Sequence, residues 1–286
     1  MKKNLLISLI VLLGLLSVFF FFIPAFQGKI SINPIIDLGF LQFRWYGLIM
    51  ALAILVGFFL ARTYSWRFGI SKQAVDDYSF WLIILSFIGA RIYYVIFNYG
   101  LFENNLTEIY KVWHGGLSIY GAIITGILFT FFYSRNKAHT FYQLFDLVAL
   151  SLPLAQAVGR FGNFMNQEAF GTPTNLPWKM YVDPQFRPIK YLSYNFFHPA
   201  FLYEAIIDVI VFLILRKLVG KVKSGVIGLT YLALYSLGRF FVEGMRIDSS
   251  FIYGFRIDQI VAFLMVGFAG YMIILKQKTI DLKAKS

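Results

Sequence analysis

The 286-residue chain contains no cysteine, and only 14% of its residues are charged. Without cysteine it can form neither a disulfide nor a thiolate metal site, and it has no cysteine nucleophile of its own. Its three histidines are scattered and show no metal-ligand spacing, so the sequence predicts neither a metal nor a cofactor. A soluble domain has about 25% charged residues. The low charge content therefore excludes an ordinary soluble domain.

Apolar residues are abundant instead, at 59% of the chain, with 20% aromatic residues and a mean hydropathy of +0.69. They form eight apolar runs, and most of these are long enough to cross a bilayer as helices. We therefore predict an all-α polytopic membrane protein, with a seven-helix transmembrane core and one extra N-terminal helix. The runs are 5–23, 46–61, 78–97, 116–133, 141–158, 199–215, 226–242 and 257–275.

The first run follows two lysines and resembles a signal peptide. However, its apolar stretch is longer than usual, and Ile23-Pro24-Ala25-Phe26 is a poor cleavage site. We expect an uncleaved signal-anchor helix in residues 1–28, with cleavage as the alternative. The membrane domain is expected at 29–276 and a basic cytoplasmic tail at 277–286.

The net charge of +12 is concentrated in alternate loops. If the N-terminus is cytoplasmic, the cytoplasmic segments hold fifteen basic and three acidic residues, which accounts for the whole excess. This asymmetry follows the positive-inside rule. It indicates orientation, with a cytoplasmic C-terminus, rather than a nucleic-acid partner.

The few polar residues of the helices gather near the outer leaflet in this topology. The densest stretch, Gly159–Gly171, holds an arginine, two asparagines and a glutamate between glycines, which allow close backbone approach. Arg239, Glu243 and Arg246 stand at i, i+4 and i+7, so we expect one helical face on which Glu243 holds both arginines. Arginine donors left free would suit a phosphate. These features predict a site for an anionic amphiphile.

Other polar residues have plainer interpretations. Arg91 and Asp146 are expected either to form a buried pair between helices or to serve the function. Asp208 lies in the middle of an apolar run, where we expect a structural role. His114 lies at a loop edge, where a solvated histidine is the default.

Five segments resemble the prolipoprotein diacylglyceryl transferase family, in order and spacing, over about residues 30–275. Gly159–Gly171 is similar to the family signature G-R-x-G-N-F-x-N-x-E-x-x-G. The other segments are Arg44–Leu48, Gly115–Gly121, His198–Glu204 and Arg239–Arg246.

The resemblance implies an enzyme that moves the diacylglyceryl group of phosphatidylglycerol to the lipobox cysteine of a preprolipoprotein signal peptide. The product is a thioether, and glycerol-1-phosphate leaves. It implies a multi-pass protein of the bacterial inner membrane, with an active site near the outer leaflet. The alternatives are a catalytically idle relative that binds lipid or lipoprotein precursors, and a transporter. A transporter would predict inverted repeats and polar groups at the bilayer midplane, and the sequence has neither.

The resemblance also assigns roles to residues. Arg160 would bind the phosphatidylglycerol headgroup with Asn163 beside it, and Arg239, held by Glu243, would be a second gate or a contact to the phosphate. The catalytic set it implies is Tyr46, Tyr120, Arg239 and Glu243. The substrate-binding set is Arg160, Asn163, Asn166, Glu168, Gly171, His198, Glu204 and Arg246.

Tyr120 departs from the family, in which many members have a histidine considered as the base for the cysteine thiol. A tyrosine with its usual pKa of about 10 is a poor base near neutral pH. Three possibilities remain: arginines activate Tyr120, His114 substitutes for the missing histidine, or no side-chain base is needed. We favour the third, because arginine electrostatics would then lower the barrier.

Overall fold

The computed structural model describes residues 17–39, 42–135 and 139–283. Most of these residues are helical, which confirms the predicted fold class. A π-helical turn at Val18–Phe22 leads into a short helix, and seven long helices follow in the described part. The helices are α1 Ile23–Phe26, α2 Trp45–Tyr64, α3 Lys72–Phe97, α4 Ile119–Arg135, α5 Phe141–Met165, α6 Ala200–Leu218, α7 Val226–Glu243 and α8 Ile257–Lys283. Most of the predicted signal-anchor helix lies outside the described residues.

Five of the described helices are long and apolar enough to cross a membrane: α2, α3, α5, α7 and α8. Helix α4 is apolar but shorter, with 17 residues, and α6 carries four charged side chains. Large apolar side chains on these helices face outward; Phe263 of α8, for example, is 71% exposed. Such exposure is unfavourable in water and favourable in lipid, so the surface is that of a polytopic membrane protein.

Helix α5 is longer than predicted. The apolar run suggested an end at residue 158, but the helix continues to Met165. Arg160 and Asn163 therefore lie on its last two turns rather than in a loop after it. Pro153 is accommodated inside the helix, as membrane helices often allow.

The chain forms two compact units, and the second comprises Gly57–Leu152 and Leu215–Leu229. Its main contact joins α3 to α4, where a Cβ on Gly121 would lie 2.3 Å from the carbonyl oxygen of Gly89. Such close backbone approach between small residues is typical of membrane helix pairs. A hydrogen bond of 2.7 Å between Tyr78 Oη and Thr130 Oγ1 links the same helices.

The structure gives Arg91 and Asp146 different partners, so the expected pair between them is wrong. Arg91 donates to four backbone carbonyls of the loop before α4, those of Glu108, Ile109, Gly115 and Gly116, at 2.6–2.7 Å. Asp146 accepts from the amides of Gly225 and Gly228 at 2.5 and 2.7 Å. These amides lie at the start of α7, where a carboxylate also compensates the helix dipole.

We expect Asp146→Asn to lower the free energy of unfolding by about 1–3 kcal/mol, because asparagine offers one oxygen to two buried amides. Thermal unfolding of the purified protein in detergent measures the loss. The isosteric change leaves packing intact, so an unchanged melting temperature would contradict the capping role.

The first unit comprises Met1–Val56, Pro153–Ile214 and Thr230–Ser286. Its core is aromatic, with Phe164, Phe197 and Phe201 nearly inaccessible and the rings of Phe164 and Phe201 stacked at 5.0 Å. Three antiparallel pairs of short strands lie in its loops. They are β1 Ile35–Asp37 with β2 Gln42–Arg44, β3 Met180–Tyr181 with β4 Phe196–Phe197, and β5 Phe251–Ile252 with β6 Phe255–Arg256.

Candidate active site

The last turns of α5 carry the first half of the Gly159–Gly171 stretch against α2. A Cβ on Gly162 would lie 2.9 Å from Cδ2 of Tyr46, and one on Gly159 would lie 3.3 Å from Sδ of Met50. Both glycines therefore serve helix packing rather than close approach to a ligand. Their small size holds Tyr46 against the helix face next to Arg160.

The second half of the stretch is a tight loop. Asn163 donates through Nδ2 to Oε1 of Glu168 at 2.9 Å, which ties the helix end to the loop. Gln167 and Ala169, on either side of Glu168, have positive φ angles of 50° and 54°, which residues other than glycine rarely adopt. Gln167 is buried and exchanges two hydrogen bonds with Asp183, at 2.6 and 2.7 Å, which hold this conformation.

Gly171 joins the loop to two other segments of the site. Its amide donates to the carbonyl of His198 at 2.9 Å, and the residue forms a bridge with Arg246. A Cβ here would lie 2.8 Å from Cβ of His198 and 3.0 Å from the carbonyl oxygen of Met245. Only glycine allows this three-way contact.

We expect Gly171→Ala to cost about 1–3 kcal/mol of stability, because two of the three segments must move apart. Thermal unfolding in detergent measures it. Gly267→Ala is the matched control, since a Cβ at Gly267 in α8 meets nothing within 4 Å. Equal melting temperatures for the two variants would contradict the close contact.

Three arginines from two segments meet at one carboxylate of α6. Glu204 contacts Arg160 through Oε2 at 2.7 Å, and through Oε1 it contacts Arg239 at 2.7 Å and Arg246 at 3.4 Å. The Glu204 side chain is 7% exposed. We name Arg160, Glu204, Arg239 and Arg246 the Glu204 cluster.

The expected role of Glu243 is only half right. It contacts Arg239 at 2.7 Å, but α7 ends at Glu243, so Arg246 lies beyond the helix. Arg246 pairs instead with Asp248 at 2.6 Å and with Glu204. The carboxylate that holds more than one arginine is therefore Glu204, which comes from another helix.

Two acidic partners of the cluster were missing from the sequence-based set. Asp258, at the start of α8, contacts Arg239 at 2.7 Å, and Asp248 pairs with Arg246. Arg256 supports the turn that follows α7 and carries Arg246, by donating to the carbonyls of Glu243 and Arg246 at 2.5 and 2.7 Å. Asp258 opens an apolar run, which is the same signal that marks Glu204, whereas no sequence pattern marks Asp248 or Arg256.

Arg160 has the most spare donor capacity of the three arginines. Arg239 contacts three carboxylates and Arg246 two, while Arg160 contacts Glu204 alone among the described residues. Its buried Nε has no hydrogen-bond partner in the described part of the chain. Because a guanidinium has five N–H donors, Arg160 can accept a further anion without losing Glu204.

Two titratable groups at the edge of the site have shifted pKa values. Partial burial lowers the pKa of His198, so the imidazole is neutral at pH 7, and Nδ1 lies 3.1 Å from Oη of Tyr203. Burial alone would raise the pKa of Asp248, but the Arg246 guanidinium outweighs it and holds the pKa below its usual range. Asp248 therefore stays ionised, and His198 contributes hydrogen bonding rather than charge.

An open cleft of about 400 Å³ lies along the Asn166–Phe170 loop. Arg44, Glu168 and Asp248 give it charged walls, while residues such as Phe186 and Ile247 give it apolar ones. Oδ1 of Asn166 is buried without a hydrogen-bond partner among the described residues. The cleft thus suits a molecule with both polar and apolar parts.

Eleven of the twelve candidate residues belong to the first unit, and Tyr120 belongs to the second. The Tyr120 side chain on α4 is 60% exposed, and its ring lies 6.3 Å from that of Tyr93. His114 is paired with Glu108 at 2.6 Å, and hydrogen bonds from Lys111 and His114 lower the pKa of this carboxylate. His114 is therefore a paired surface residue rather than an isolated one.

Comparison with known proteins gives consistent matches. Residues 33–275 match the family model described as prolipoprotein diacylglyceryl transferase. The phosphatidylglycerol–prolipoprotein diacylglyceryl transferase of Fervidobacterium nodosum is 42% identical over 281 residues, covering 96% of each chain. The protein of that name from Nostoc sp. is 44% identical over 82% of this chain and 87% of its own. The one from Thermotoga maritima is 40% identical over 90% of this chain and 89% of its own.

Proposed function

The chain belongs to the prolipoprotein diacylglyceryl transferase family, and on that premise we propose that it transfers the diacylglyceryl group of phosphatidylglycerol to prolipoproteins. The acceptor is the thiol of the lipobox cysteine in a preprolipoprotein signal peptide. An S–C bond forms as the C–O bond to the phosphate breaks, and its electron pair stays with the phosphate oxygen. Glycerol-1-phosphate leaves, and the thiol proton passes to the phosphate or to water.

The Glu204 cluster is the observation that carries this proposal. During the transfer the phosphate changes from a diester with one negative charge to a monoester with two. Guanidinium groups fixed at the phosphate before the reaction stabilise this added charge in the transition state more than in the bound substrate. Arg160, with its unused donors, binds the headgroup, while Arg239 lies fixed among three carboxylates to meet the charge that develops.

The remaining candidate residues support these arginines. Glu243 and Glu204 fix the guanidinium of Arg239. Asn163 and Glu168 close the loop beside Arg160, and Tyr46 packs against Gly162 on the same helix. The cleft along the Asn166–Phe170 loop receives the polar part of a substrate, which the Asn166 side chain in the cleft wall hydrogen-bonds. Gly171 and His198 hold the segment that carries Arg246. No cofactor is required, because the phosphate is itself the leaving group.

We place the protein in the bacterial cytoplasmic membrane, with both termini in the cytoplasm and the Glu204 cluster near the outer leaflet. The concentration of basic residues in alternate loops supports this orientation. Residues 1–28 serve as a signal anchor, 29–276 as the catalytic membrane domain and 277–286 as a cytoplasmic tail. A translocated signal peptide presents its cysteine at that same depth.

The test is an assay with purified protein, phosphatidylglycerol and a synthetic peptide containing the lipobox cysteine. Mass spectrometry should show a thioether-linked diacylglyceryl peptide, with one glycerol-1-phosphate released for each peptide modified. A peptide with serine in place of the cysteine is the control and should remain unmodified. Absence of both products, under conditions where the Thermotoga maritima relative works, would refute the proposal.

We expect Tyr120→Phe to keep at least about a third of the activity, because tyrosine is a poor general base near neutral pH. The same assay, measuring kcat/KM for the peptide, tests this. A loss of two orders of magnitude would identify Tyr120 as the base. Activity that appears only in Tyr120→His would indicate that the wild-type chain is the idle relative.

A further inference from the structure

A second buried carboxylate, that of Asp208 in α6, lies one helical turn from Glu204. Asp208 of α6 is 2% exposed, and its Oδ2 has no hydrogen-bond partner in the part of the chain that the structure describes. An acid in a membrane helix is costly unless it is paired, so such a residue calls for a functional explanation. The family resemblance assigns it no role.

The position of Asp208 relates it to Arg160. It follows Glu204 by four residues on α6, so the two carboxylates share one helical face, about 6 Å apart along the axis. Arg160 lies close enough for its positive charge to act electrostatically on the Asp208 carboxyl group. The other ionisable groups facing Asp208 are Glu204 on its own helix and two tyrosines of α7, Tyr231 and Tyr235.

Arg160 and Asp208 each have one buried polar atom without a hydrogen-bond partner among the described residues, and the two atoms are complementary. Nε of Arg160 is a buried donor, Oδ2 of Asp208 is a buried acceptor, and neither is hydrogen-bonded among the described residues. The guanidinium contacts Glu204 through Nη1, at 2.7 Å. We propose that Asp208 is a second anchor for Arg160, one helical turn from Glu204, and that it positions the guanidinium when a phosphate binds.

The need for a second anchor follows from how Glu204 is used. Its Oε1 already contacts Arg239 and Arg246, so a phosphate drawn to the cluster competes with Glu204 for the same donors. Asp208 can accept a hydrogen bond from Nε of Arg160, which is unused, while Nη1 stays with Glu204. Three N–H groups then remain for the phosphate, two on Nη2 and one on Nη1, in a fixed orientation.

Asp208 is a positioning residue in this scheme, since it acts through Arg160 and touches no reacting atom. The inference rests on the proposed function, because it presumes that Arg160 binds a phosphodiester. We expect Asp208→Asn to lower kcat/KM for phosphatidylglycerol by about tenfold to a hundredfold, with most of the change in KM. Asp208→Glu keeps the charge and should restore activity to within about fivefold.

A double-mutant cycle separates positioning from mere structural support. Arg160→Lys removes the fork that Asp208 is proposed to hold, so Asp208→Asn should cause no additional loss in that background. Multiplying losses would overturn the inference, and so would an Asp208→Asn variant as active as the wild type. Should Asp208→Asn fail to fold, Asp208→Glu goes through the same cycle. Asp146→Asn is the matched control: Asp146 is equally buried at 2% but already capped, so its kcat/KM per folded enzyme should not change.

A readout independent of turnover distinguishes failure of this inference from failure of the proposed function. The same cycle is measured as melting temperatures in detergent with phosphatidylglycerol but no peptide, so that a phosphate is present and nothing turns over. Coupling between positions 160 and 208 there supports the anchor even if the wild type transfers nothing. Full transferase activity without such coupling retains the function and rejects the anchor.

Discussion

Glu204→Gln should lower kcat/KM by at least about a hundredfold, the loss expected when a preorganised electrostatic site is disrupted. The carboxylate contacts Arg160, Arg239 and Arg246 within 3.4 Å, and its side chain is 7% exposed. Glutamine has the same shape but no charge, and its amide nitrogen would face a donor instead of accepting from it. Three guanidinium groups would then repel one another in a site largely closed to water.

The same change should lower the free energy of unfolding by about 3 kcal/mol or more, the cost of removing one partner of a buried ion pair. Activity per folded enzyme and thermal unfolding in detergent measure the two effects separately. Glu108→Gln is the control, because Glu108 also pairs with two basic side chains, Lys111 and His114, but in an exposed loop of the second unit. Normal activity in Glu204→Gln would mean that the other carboxylates suffice to position the arginines.

The helices were largely predictable from the sequence, because a bilayer demands long apolar runs and little else produces them. Their ends were less predictable. Helix α5 runs seven residues past its apolar run, since Gly159 and Gly162 pack against α2 and keep the polar last turns helical. Helix α3 begins at Lys72, six residues before its run, because Ser71 caps it by accepting from the amide of Ala74.

The residues of the site could be predicted from the sequence, but the ion pairs between them could not. Charges in an apolar chain stand out, so Arg160, Glu204 and Arg239 could be recognised one by one. Helical spacing relates only residues of the same helix, and it therefore pairs Arg246 with Glu243. In the structure Arg246 pairs instead with Glu204, which only the packing of α6 beside α7 could reveal, and with Asp248, two residues further along the chain.

Arg160→Lys should lose about a hundredfold or more in kcat/KM while keeping close to wild-type stability. Lysine retains the positive charge that Glu204 needs, so folding is little affected. It lacks the planar fork and the Nε donor, and so it can offer the phosphate a point charge but no bidentate contact. Because the phosphate gains charge during the reaction, both kcat and KM for phosphatidylglycerol should worsen.

Arg187→Lys provides the matched control for this prediction. Arg187 is a buried arginine of the first unit, and its donors hold the carbonyls of Val182 and Leu192, at 2.7 and 3.2 Å, within the loop between α5 and α6. We expect that variant to melt earlier and yet to retain its activity per folded enzyme, the reverse of Arg160→Lys. Full activity in Arg160→Lys would refute bidentate binding of the phosphate, whereas equal losses in both variants would mean that the effect comes from folding. Opposite patterns at these two arginines would place the chemistry at the Glu204 cluster, because only there does the geometry of the guanidinium, beyond its charge, act on a substrate.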